Sequence, residues 1–356
     1  MCDTPVVTRK NNPDGDNRIR PVSLKDLATH VGLSPTTLSL VLNDSPGAQA
    51  IPQETKDRIF AAARVLNYRP NFLARSLRSR RTYAIGVLIP ELSDGYSALV
   101  LSGIEEFLIK AGYMYLVTSH RHKPKLIERY PTLLYERSVE GLIAVDTPYD
   151  QQLPLPVVSV SGHKQVQGVT NIALNHDTAA VLALQHLLEL GHRDIAFLKG
   201  QQFSSDTEIR WEAIRNAARR LGVSTRAGRV AQLEGDSPTP EVGYRAAMKL
   251  LKSGEEFSAL FAFNDISAMG AIRALHVAGR RVPEDVSVVG FDDINGAAFQ
   301  NPALTTIRQP LWRMGMLAAE TLLHRVKEGN RDGQPEAIVV EPELVVREST
   351  ARVKSR

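Results

Sequence analysis

The spacing of apolar residues changes twice along the chain and divides it into three stretches. Residues 1–20 are polar and show no apolar period, which predicts a disordered tail. From residue 23 to residue 66, apolar residues recur at helical spacing in short segments. From Tyr83 onward, short apolar runs typical of buried strands alternate with amphipathic helices. A small helical domain followed by a larger α/β region is therefore expected.

The second stretch predicts two short helices joined by a tight turn. Ser23 is placed to cap the first helix, whose apolar residues begin at Leu24, and Gly32 ends it. Ser34 is placed to cap the second helix, and Pro35 stands in its first turn, where a missing N–H costs nothing. This order is the helix-turn-helix plan, whose second helix lies in the major groove of DNA. A plain helical hairpin is the alternative.

The outward side of the second helix supplies the first candidate DNA contacts. Its residues are Pro35, Thr36, Thr37, Ser39 and Leu40. Threonine hydroxyls can bond a base edge or a phosphate, and threonine methyl groups can meet a thymine methyl.

A basic segment follows a third predicted helix, which spans about residues 52–66. Residues 72–81 read FLARSLRSRR and combine four arginines with Leu73 and Leu77. A helix of this length is marginal in water, so the segment is expected to be disordered when free and helical when bound. An apolar residue on such a helix can insert between base pairs in the minor groove. An ordinary basic linker is the alternative.

Charge separates the same regions. The chain carries a net charge of +4, yet residues 1–81 hold 13 lysines and arginines against 7 acidic residues, and the remainder holds 30 against 32. A basic first quarter indicates an acidic partner there, although a solvated basic surface gives the same balance. The single cysteine, Cys2, excludes a disulfide within the chain and a cysteine metal site.

The third stretch repeats a strand–helix unit. Strands are predicted at 83–90, 113–118, 141–145, 156–160, 195–200, 259–263 and 286–291, and helices at 97–110, 178–190, 208–221, 241–251 and 266–278. Such repeats imply parallel sheets with helices on both faces. Ligands in these sheets bind at the carboxyl ends of strands, where Asn264, Asp265, Asp292 and Asp293 are found.

The sequence disfavours a membrane-spanning protein, an exported protein and a metal-binding protein. No apolar run reaches the roughly 18 residues of a membrane helix, and the first residues have no apolar signal-peptide core, so a cytoplasmic protein is expected. The histidines show no metal-ligand spacing, and neither a metal nor a cofactor is predicted.

Six segments carry a resemblance to a known family. They are SLKDLATHVGLSPTTLSLVLN (23–43), LNYRPNFLARSLRS (66–79), HLLELGHRDIAFLKG (186–200), AFNDISAMGAIRAL (262–275), VPEDVSVVGFDDI (282–294) and PALTTIRQP (302–310). In this order they resemble the lactose/galactose repressor (LacI/GalR) family of bacterial transcription regulators. The resemblance covers residues 21–349. It implies an α/β fold with an N-terminal three-helix helix-turn-helix domain and a hinge helix, followed by a periplasmic-binding-protein-like core of two doubly wound parallel-sheet subdomains.

The resemblance also implies the domain limits. They are a tail at 1–20, the DNA-binding domain at 21–70, the hinge at 71–81, the core at 82–349 and a tail at 350–356. One subdomain would comprise residues 82–173 with 311–336, and the other 174–310 with 337–349.

For DNA, the family's recognition positions fall on Pro35, Thr36 and Leu40. Leu77 matches the leucine that the family inserts into the central minor-groove step, and Ala74 lies where the hinge packs against its dimer mate. The full set of predicted DNA contacts is Ser23, Leu24, Ser34, Pro35, Thr36, Thr37, Ser39, Leu40, Asn43, Tyr68, Asn71, Ala74 and Leu77.

Two features depart from the family pattern. The family usually carries an arginine at the position of Leu40, where it reads guanine, whereas leucine favours a thymine methyl or a different operator. No leucine-heptad tail follows Val346, so a tetramer built in that way is not expected.

For the effector, the resemblance points to the cleft between the two subdomains. The pocket positions correspond to Pro90, Asp94, Ser97, Arg210, Asn264, Asp292 and Gln309. Tyr96 and Phe203 are candidates to stack on a sugar ring, with ordinary packing as the alternative. Carboxylate, amide and guanidinium groups suit the hydroxyls of a sugar-like ligand. Arg210 can form a fork with a ligand carboxylate or diol, or a salt bridge with Asp292 across the cleft.

The expected function is that of a transcriptional repressor, a homodimer that binds a pseudo-palindromic operator and responds to a small sugar-like effector in the core cleft. A solute-binding protein of a sugar uptake system would share the core, but it would leave residues 23–81 without a role. An enzyme is disfavoured because the sequence contains no nucleophile motif, phosphate-binding loop or metal cluster. The sequence leaves open whether the effector induces or co-represses.

Overall fold

The computed structural model describes residues 22–69, 76, 81–93, 95–149, 153–162, 166–235, 239–328 and 337–354. The chain divides into two compact units, Met1–Arg81 and Thr82–Arg356. No helix in these ranges combines the length and the apolar character needed to cross a membrane.

The described part of the first unit packs three short helices around one small core. They are α1 (Leu24–Val31), α2 (Pro35–Leu42) and α3 (Gln53–Val65), and a 3₁₀ turn spans Pro46–Ala50. Leu27, Leu38 and Ile59, one from each helix, are fully buried in this core. Burial of each such side chain contributes about 2 kcal/mol, so these three residues are central to the stability of the unit.

Side-chain caps set the turn between α1 and α2. Ser23 Oγ accepts a hydrogen bond from Asp26 N at 3.2 Å, and the Asp26 carboxylate accepts one from Ser23 N at 2.9 Å. Gly32 ends α1 in the left-handed region, with a φ of 72°, where glycine has no Cβ to clash. Ser34 Oγ then accepts from Thr37 N at 3.0 Å and starts α2. The predicted caps are all present.

The second unit is built from strands and helices in alternation. Its described strands are β1 (Ala84–Ile89), β2 (Met114–Ser119), β3 (Leu142–Val145), β4 (Val157–Val160), β5 (Val169–Leu174), β6 (Ile195–Lys199), β7 (Val230–Gln232), β8 (Ala259–Phe261), β9 (Ser287–Asp292), β10 (Thr305–Arg308), β11 (Ala337–Val340) and β12 (Glu343–Val345). Its described helices are α4 (Gly95–Lys110), α5 (Pro124–Glu136), α6 (His176–Glu189), α7 (Asp206–Leu221), α8 (Pro240–Lys252), α9 (Asp265–Val277) and α10 (Leu311–Glu328).

These strands form two sheets. The first has the order β11–β5–β4–β3–β1–β2 and is parallel throughout. The second has the order β12–β10–β9–β8–β6–β7, and only β12 among these strands runs antiparallel to its neighbour. Helices α4 and α10 cover one face of the first sheet and α5 the other, while α6 with α7 and α8 with α9 cover the two faces of the second. The predicted doubly wound architecture is confirmed.

Residues 337–340 lie in the first sheet, which corrects the expected subdomain limits. β11 pairs in parallel with β5, with Ala337 opposite Asn171 and Val340 opposite Leu174. The expectation placed 337–349 wholly in the second subdomain. The apolar pattern of such a short run is compatible with either sheet, and its hydrogen-bonded neighbour determines which sheet it joins. The chain therefore crosses between the sheets after β5, after β10 and after β11.

Several elements are not predicted by the apolar period. α5 contains Pro131, which removes a helical hydrogen bond and weakens the sequence signal. β7 has only three residues, too few to show alternation. α10 and the strands β5, β10, β11 and β12 also lie outside the predicted set.

Helices α4 and α10 approach each other closely at two glycines. A Cβ at Gly103 would lie 2.0 Å from the carbonyl oxygen of Trp312, and a Cβ at Gly315 would lie 2.0 Å from that of Val100. Backbone carbonyls held in a helix cannot turn aside as a flexible side chain can. This helix pair therefore depends on the absence of side chains at both positions.

We expect Gly103→Ala to destabilise the second unit by about 1–3 kcal/mol, because the clash outweighs the better helix propensity of alanine. Urea denaturation measures the change. The matched control is Ser102→Ala, at an exposed neighbouring position of α4, which should change stability by less than about 0.5 kcal/mol. A Gly103→Ala protein as stable as the parent would contradict the close packing.

Candidate functional site

The start of α2 presents the predicted DNA-reading residues. Pro35 and Thr36 are exposed, while the Thr37 hydroxyl lies 2.9 Å from Ser34 Oγ as part of the cap. Asn43 Nδ2 donates to Ser39 Oγ at 3.2 Å and to the Ser39 carbonyl at 2.8 Å. Ser34, Thr37 and Ser39 thus take part in hydrogen bonds within the protein. Among the described hydroxyl residues predicted to contact DNA from this helix, Thr36 is the one that is exposed and not used in this way.

Leu40 is only partly exposed. A Cβ at Gly47 would lie 3.3 Å from Leu40 Cδ2, so the leucine side chain rests on the 3₁₀ turn after α2. Tyr68 is half-buried against the helical core, and burial raises the pKa of its hydroxyl. Both residues therefore combine packing with any contact to DNA.

The remaining predicted contacts divide into two groups. Ser23 and Leu24 lie at the start of α1, where Ser23 is engaged in its capping box. Asn71, Ala74 and Leu77 lie outside the described residues.

A cleft between the two sheets of the second unit contains most of the predicted effector residues. It encloses a cavity of about 50 Å³ lined by Pro90, Tyr96, His122, Asp146, Gln201, Phe203, Ser204, Asp206, Arg210, Phe263, Asn264 and Asp292. Asp292 ends β9, and Asn264 caps α9. Carboxyl ends of strands and amino ends of helices thus meet here, as the topology requires. Ser97 is fully buried, Gln309 lies next to Asp292, and Asp94 is outside the described residues.

Arg210 pairs with Asp206 rather than with Asp292. Its Nη2 donates to Asp206 Oδ2 at 2.6 Å, and its Nη1 donates to the Phe263 carbonyl at 2.5 Å. The guanidinium also lies over the Phe291 ring at 3.8 Å. The expected alternative, a salt bridge to Asp292 across the cleft, is not formed, because both acids and the arginine belong to the second sheet's side of the cleft and Asp206 is one helical turn away.

Asp292 and Asp293 point in different directions. Asp292 has a φ of 107°, and its Oδ1 accepts from Gln309 Nε2 at 2.7 Å. Burial raises the pKa of the Asp292 carboxyl well above its usual range, although Arg210 opposes the shift. Asp293 instead accepts from Arg308 at 2.8 Å and from Arg347 at 2.7 Å. The two carboxyls therefore do not form an acid–base pair.

Contacts across the cleft join the two sheets. Ser205 Oγ donates to Asp146 Oδ1 at 2.5 Å, and the rings of His122 and Phe203 are in contact, with centroids 3.8 Å apart and planes tilted by 31°. Asp146 and His122 belong to the first sheet's side, and Ser205 and Phe203 to the second's. Four of these cleft residues were not predicted from the sequence: Asp146, Ser205, His122 and Asp206. The one available signal was that Asp146 directly follows a buried strand.

His120 holds the loop that carries His122. The His122 backbone N–H donates to His120 Nδ1 at 3.1 Å, so the ring proton is assigned to Nε2, which lies 2.9 Å from Thr147 Oγ1. Thr147 in turn donates to the Val145 carbonyl at 2.7 Å. Burial lowers the pKa of His120 to about 4. Among the described residues, no group of His, Cys, Asp or Glu side chains could hold a metal ion.

Comparison with known proteins covers both units. A model described as bacterial regulatory proteins, lacI family, matches residues 23–71, and a periplasmic binding protein-like domain matches residues 184–350. The HTH-type transcriptional repressor PurR of Yersinia pestis is 34% identical over 339 residues, which is 92% of this chain and 97% of that protein. The chain belongs to the lacI family of bacterial regulatory proteins. It is a DNA-binding transcriptional repressor of that family and not an enzyme.

Solved structures of transcriptional regulators are similar to this chain over most of its length. The Lac repressor dimer bound to operator and the anti-inducer ONPF superposes with a TM-score of 0.81 at 27% identity, over 93% of this chain and 100% of that chain. The complex of the transcriptional regulator CelR with cellobiose gives a TM-score of 0.67 at 28% identity, over 93% and 100%. The predicted family and fold class are confirmed.

The low pKa of His120 makes the stability of the protein depend on pH. As the pH falls, the unfolded chain takes up the His120 proton at about pH 6.5, whereas the folded state takes it up only at about pH 4. The stability of the folded state therefore falls as the pH drops from about 6.5 to about 4. The slope reaches at most about 1.4 kcal/mol per pH unit. Urea denaturation at several pH values, compared with His120→Asn, isolates this contribution, because the Asn oxygen can replace Nδ1 but does not titrate. If the plots of unfolding free energy against pH were parallel for the two proteins, His120 would not be the source of the pH dependence.

Proposed function

We propose that the protein acts as a dimer that binds a pseudo-palindromic operator through two copies of α2, and that a small, sugar-like molecule in the cleft changes the affinity. The observation that carries the proposal is the presence in one chain of an exposed α2 start and a polar cleft lined from two sheets. Two-fold symmetric recognition places one such helix on each half-site.

The Lac repressor structure that resembles this chain is a dimer on its operator, which supports the same assembly here. We assign DNA binding to residues 21–70, a hinge to 71–81 and effector binding to 82–349. In this proposal Asn71, Ala74 and Leu77 belong to the DNA-binding residues of the hinge, with Leu77 at the centre of the operator and Ala74 where the hinge packs against its dimer mate.

The cleft is proposed as the effector site because its contacts connect the two sheets. A ligand that displaces or strengthens the Asp146–Ser205 and His122–Phe203 contacts changes the relation between the subdomains. Coupling of this kind typically amounts to about 1–3 kcal/mol and acts equally in both directions between effector and DNA. Similar family members have been solved with cellobiose and, for a regulator from Enterococcus faecium, with ribose, which supports a sugar-like ligand.

Selection from a pool of random DNA duplexes tests operator binding. We expect the full chain to enrich a pseudo-palindrome, and Thr36→Ala to weaken binding to that sequence about tenfold while leaving binding to unrelated DNA unchanged. Thr239→Ala, at an exposed position of the second unit, is the matched control and should bind as the parent does. Enrichment of no sequence would refute the proposed function, and equal losses on both DNAs would remove Thr36 from base reading.

Asp292 tests the effector site. A thermal-shift screen of sugars, followed by operator binding, first identifies a ligand that changes the affinity for DNA. Asp292→Asn keeps the shape of the side chain but alters an acceptor facing the ligand, so affinity for that ligand should fall about tenfold or more. Asp177→Asn, exposed at the start of α6, should leave it unchanged. Unaltered ligand affinity in Asp292→Asn would place the ligand elsewhere.

A further inference from the structure

The cleft contains an arginine whose two terminal nitrogens are already used by the protein. Arg210 is 3% exposed, with Nη2 on Asp206 and Nη1 on the Phe263 carbonyl. The Phe263 and Phe291 rings lie 4.5 Å and 3.8 Å from the guanidinium carbon. A ligand carboxylate or phosphate binds arginine through the same fork of N–H donors. An acidic ligand would therefore have to displace Asp206.

Asp206 is not easily displaced. It lies in the first turn of α7, one turn before Arg210, and is 4% exposed. Its Oδ1 also lies 3.6 Å from His176 Nε2. A carboxylate pushed away from Arg210 at this depth would remain buried without its partner, which is strongly unfavourable.

The charge of the lining also opposes an anion. Among the described residues that line the cavity, the formally charged side chains are three aspartates and one arginine: Asp146, Asp206, Asp292 and Arg210. Burial raises the pKa of Asp292 well above its usual range, yet even with this carboxyl protonated the two other acids outnumber the arginine. An added negative charge would thus enter a region of like charge.

Two buried polar atoms beside the cavity, one acceptor and one donor, favour a ligand that both donates and accepts hydrogen bonds. Gln309 is 3% exposed, and its Nε2 donates to Asp292 while its Oε1 has no partner within the described part of the chain. Arg210 Nε also lacks a partner among the residues that the structure describes, and it can donate to one hydroxyl oxygen. Hydroxyl groups can serve both atoms, and an ammonium group can donate to Gln309 Oε1.

We propose that the effector is an uncharged or cationic polyol, such as a neutral sugar or an amino sugar, and that Asp206 excludes sugar acids and sugar phosphates by occupying the Arg210 fork. This rests on the effector cleft proposed above. Asp206 is thus a specificity-determining residue, and it narrows the ligand class that Arg210 alone would suggest.

Removal of the Asp206 carboxylate should create a site for a small external carboxylate. We expect sodium acetate, at ionic strength held constant with sodium chloride, to raise the melting temperature of full-length Asp206→Ala saturably by about 3 °C or more. The parent protein should show no saturable shift. The control Asp285→Ala breaks the exposed Arg281–Asp285 pair, which has the same four-residue spacing, and should not respond to acetate either. If Asp206→Ala does not fold, Asp206→Ser opens similar space with a polar side chain.

A charge series on one sugar frame tests the parent protein directly. Glucose, glucosamine, glucuronate and glucose 6-phosphate are titrated by thermal shift, and no saturable stabilisation by the two acidic members is expected. Such stabilisation by either acid would overturn the proposal, as would an Asp206→Ala protein indifferent to acetate or an Asp285→Ala protein that responds to it. Failure of the proposed function would appear differently, as operator binding that no sugar changes, and it would leave the acetate result intact.

Discussion

A parallel sheet must be covered on both faces, and this requirement organises the second unit. Each parallel step needs a crossover, and the crossover helices pack on the sheet that they connect. The buried faces accordingly form separate apolar clusters, with Ile85, Val87 and Ile89 on one side of β1 and Leu88 on the other. The acidic side chains that line the cleft include two at the carboxyl ends of strands, Asp146 directly after β3 and Asp292 at the end of β9.

The cleft brings several buried charged side chains close together. Arg210 and Asp206 are tolerated at this depth because they neutralise each other and because the guanidinium also bonds a carbonyl and lies against two aromatic rings. The same contacts decide what the cleft can accept, since an arginine already paired attracts an anion far less than a free one. Contacts such as Asp146–Ser205 lie beside these groups and join the two sheets. In the proposed effector site, ligand binding and the relation between the subdomains would therefore be linked by proximity.

The helical unit follows a simpler rule. Its caps and glycine turn involve residues within five positions of one another, so the predictions for Ser23, Gly32 and Ser34 are confirmed. Predictions for side-chain exposure were less complete, because Leu40 packs on a turn whose position depends on the chain beyond α2. In the second unit, the ends of the predicted helices lie within about two residues of the observed ones. α5 was not predicted because Pro131 weakens the helical signal in the sequence, while packing on β1 stabilises the helix in the fold.

Periodicity, caps and charge in the sequence alone determined a helix-turn-helix followed by repeated strand–helix units, and the family resemblance added the cleft with Arg210, Asn264 and Asp292. These features depend on near neighbours or on recognisable segments. Only the tertiary structure decided that β11 joins β5, that Arg210 pairs with Asp206 and that Asp146 meets Ser205, 59 residues away. Such choices depend on which distant groups the fold brings within hydrogen-bonding distance. A short apolar run or a single aspartate shows no sign of its partner until the chain is packed.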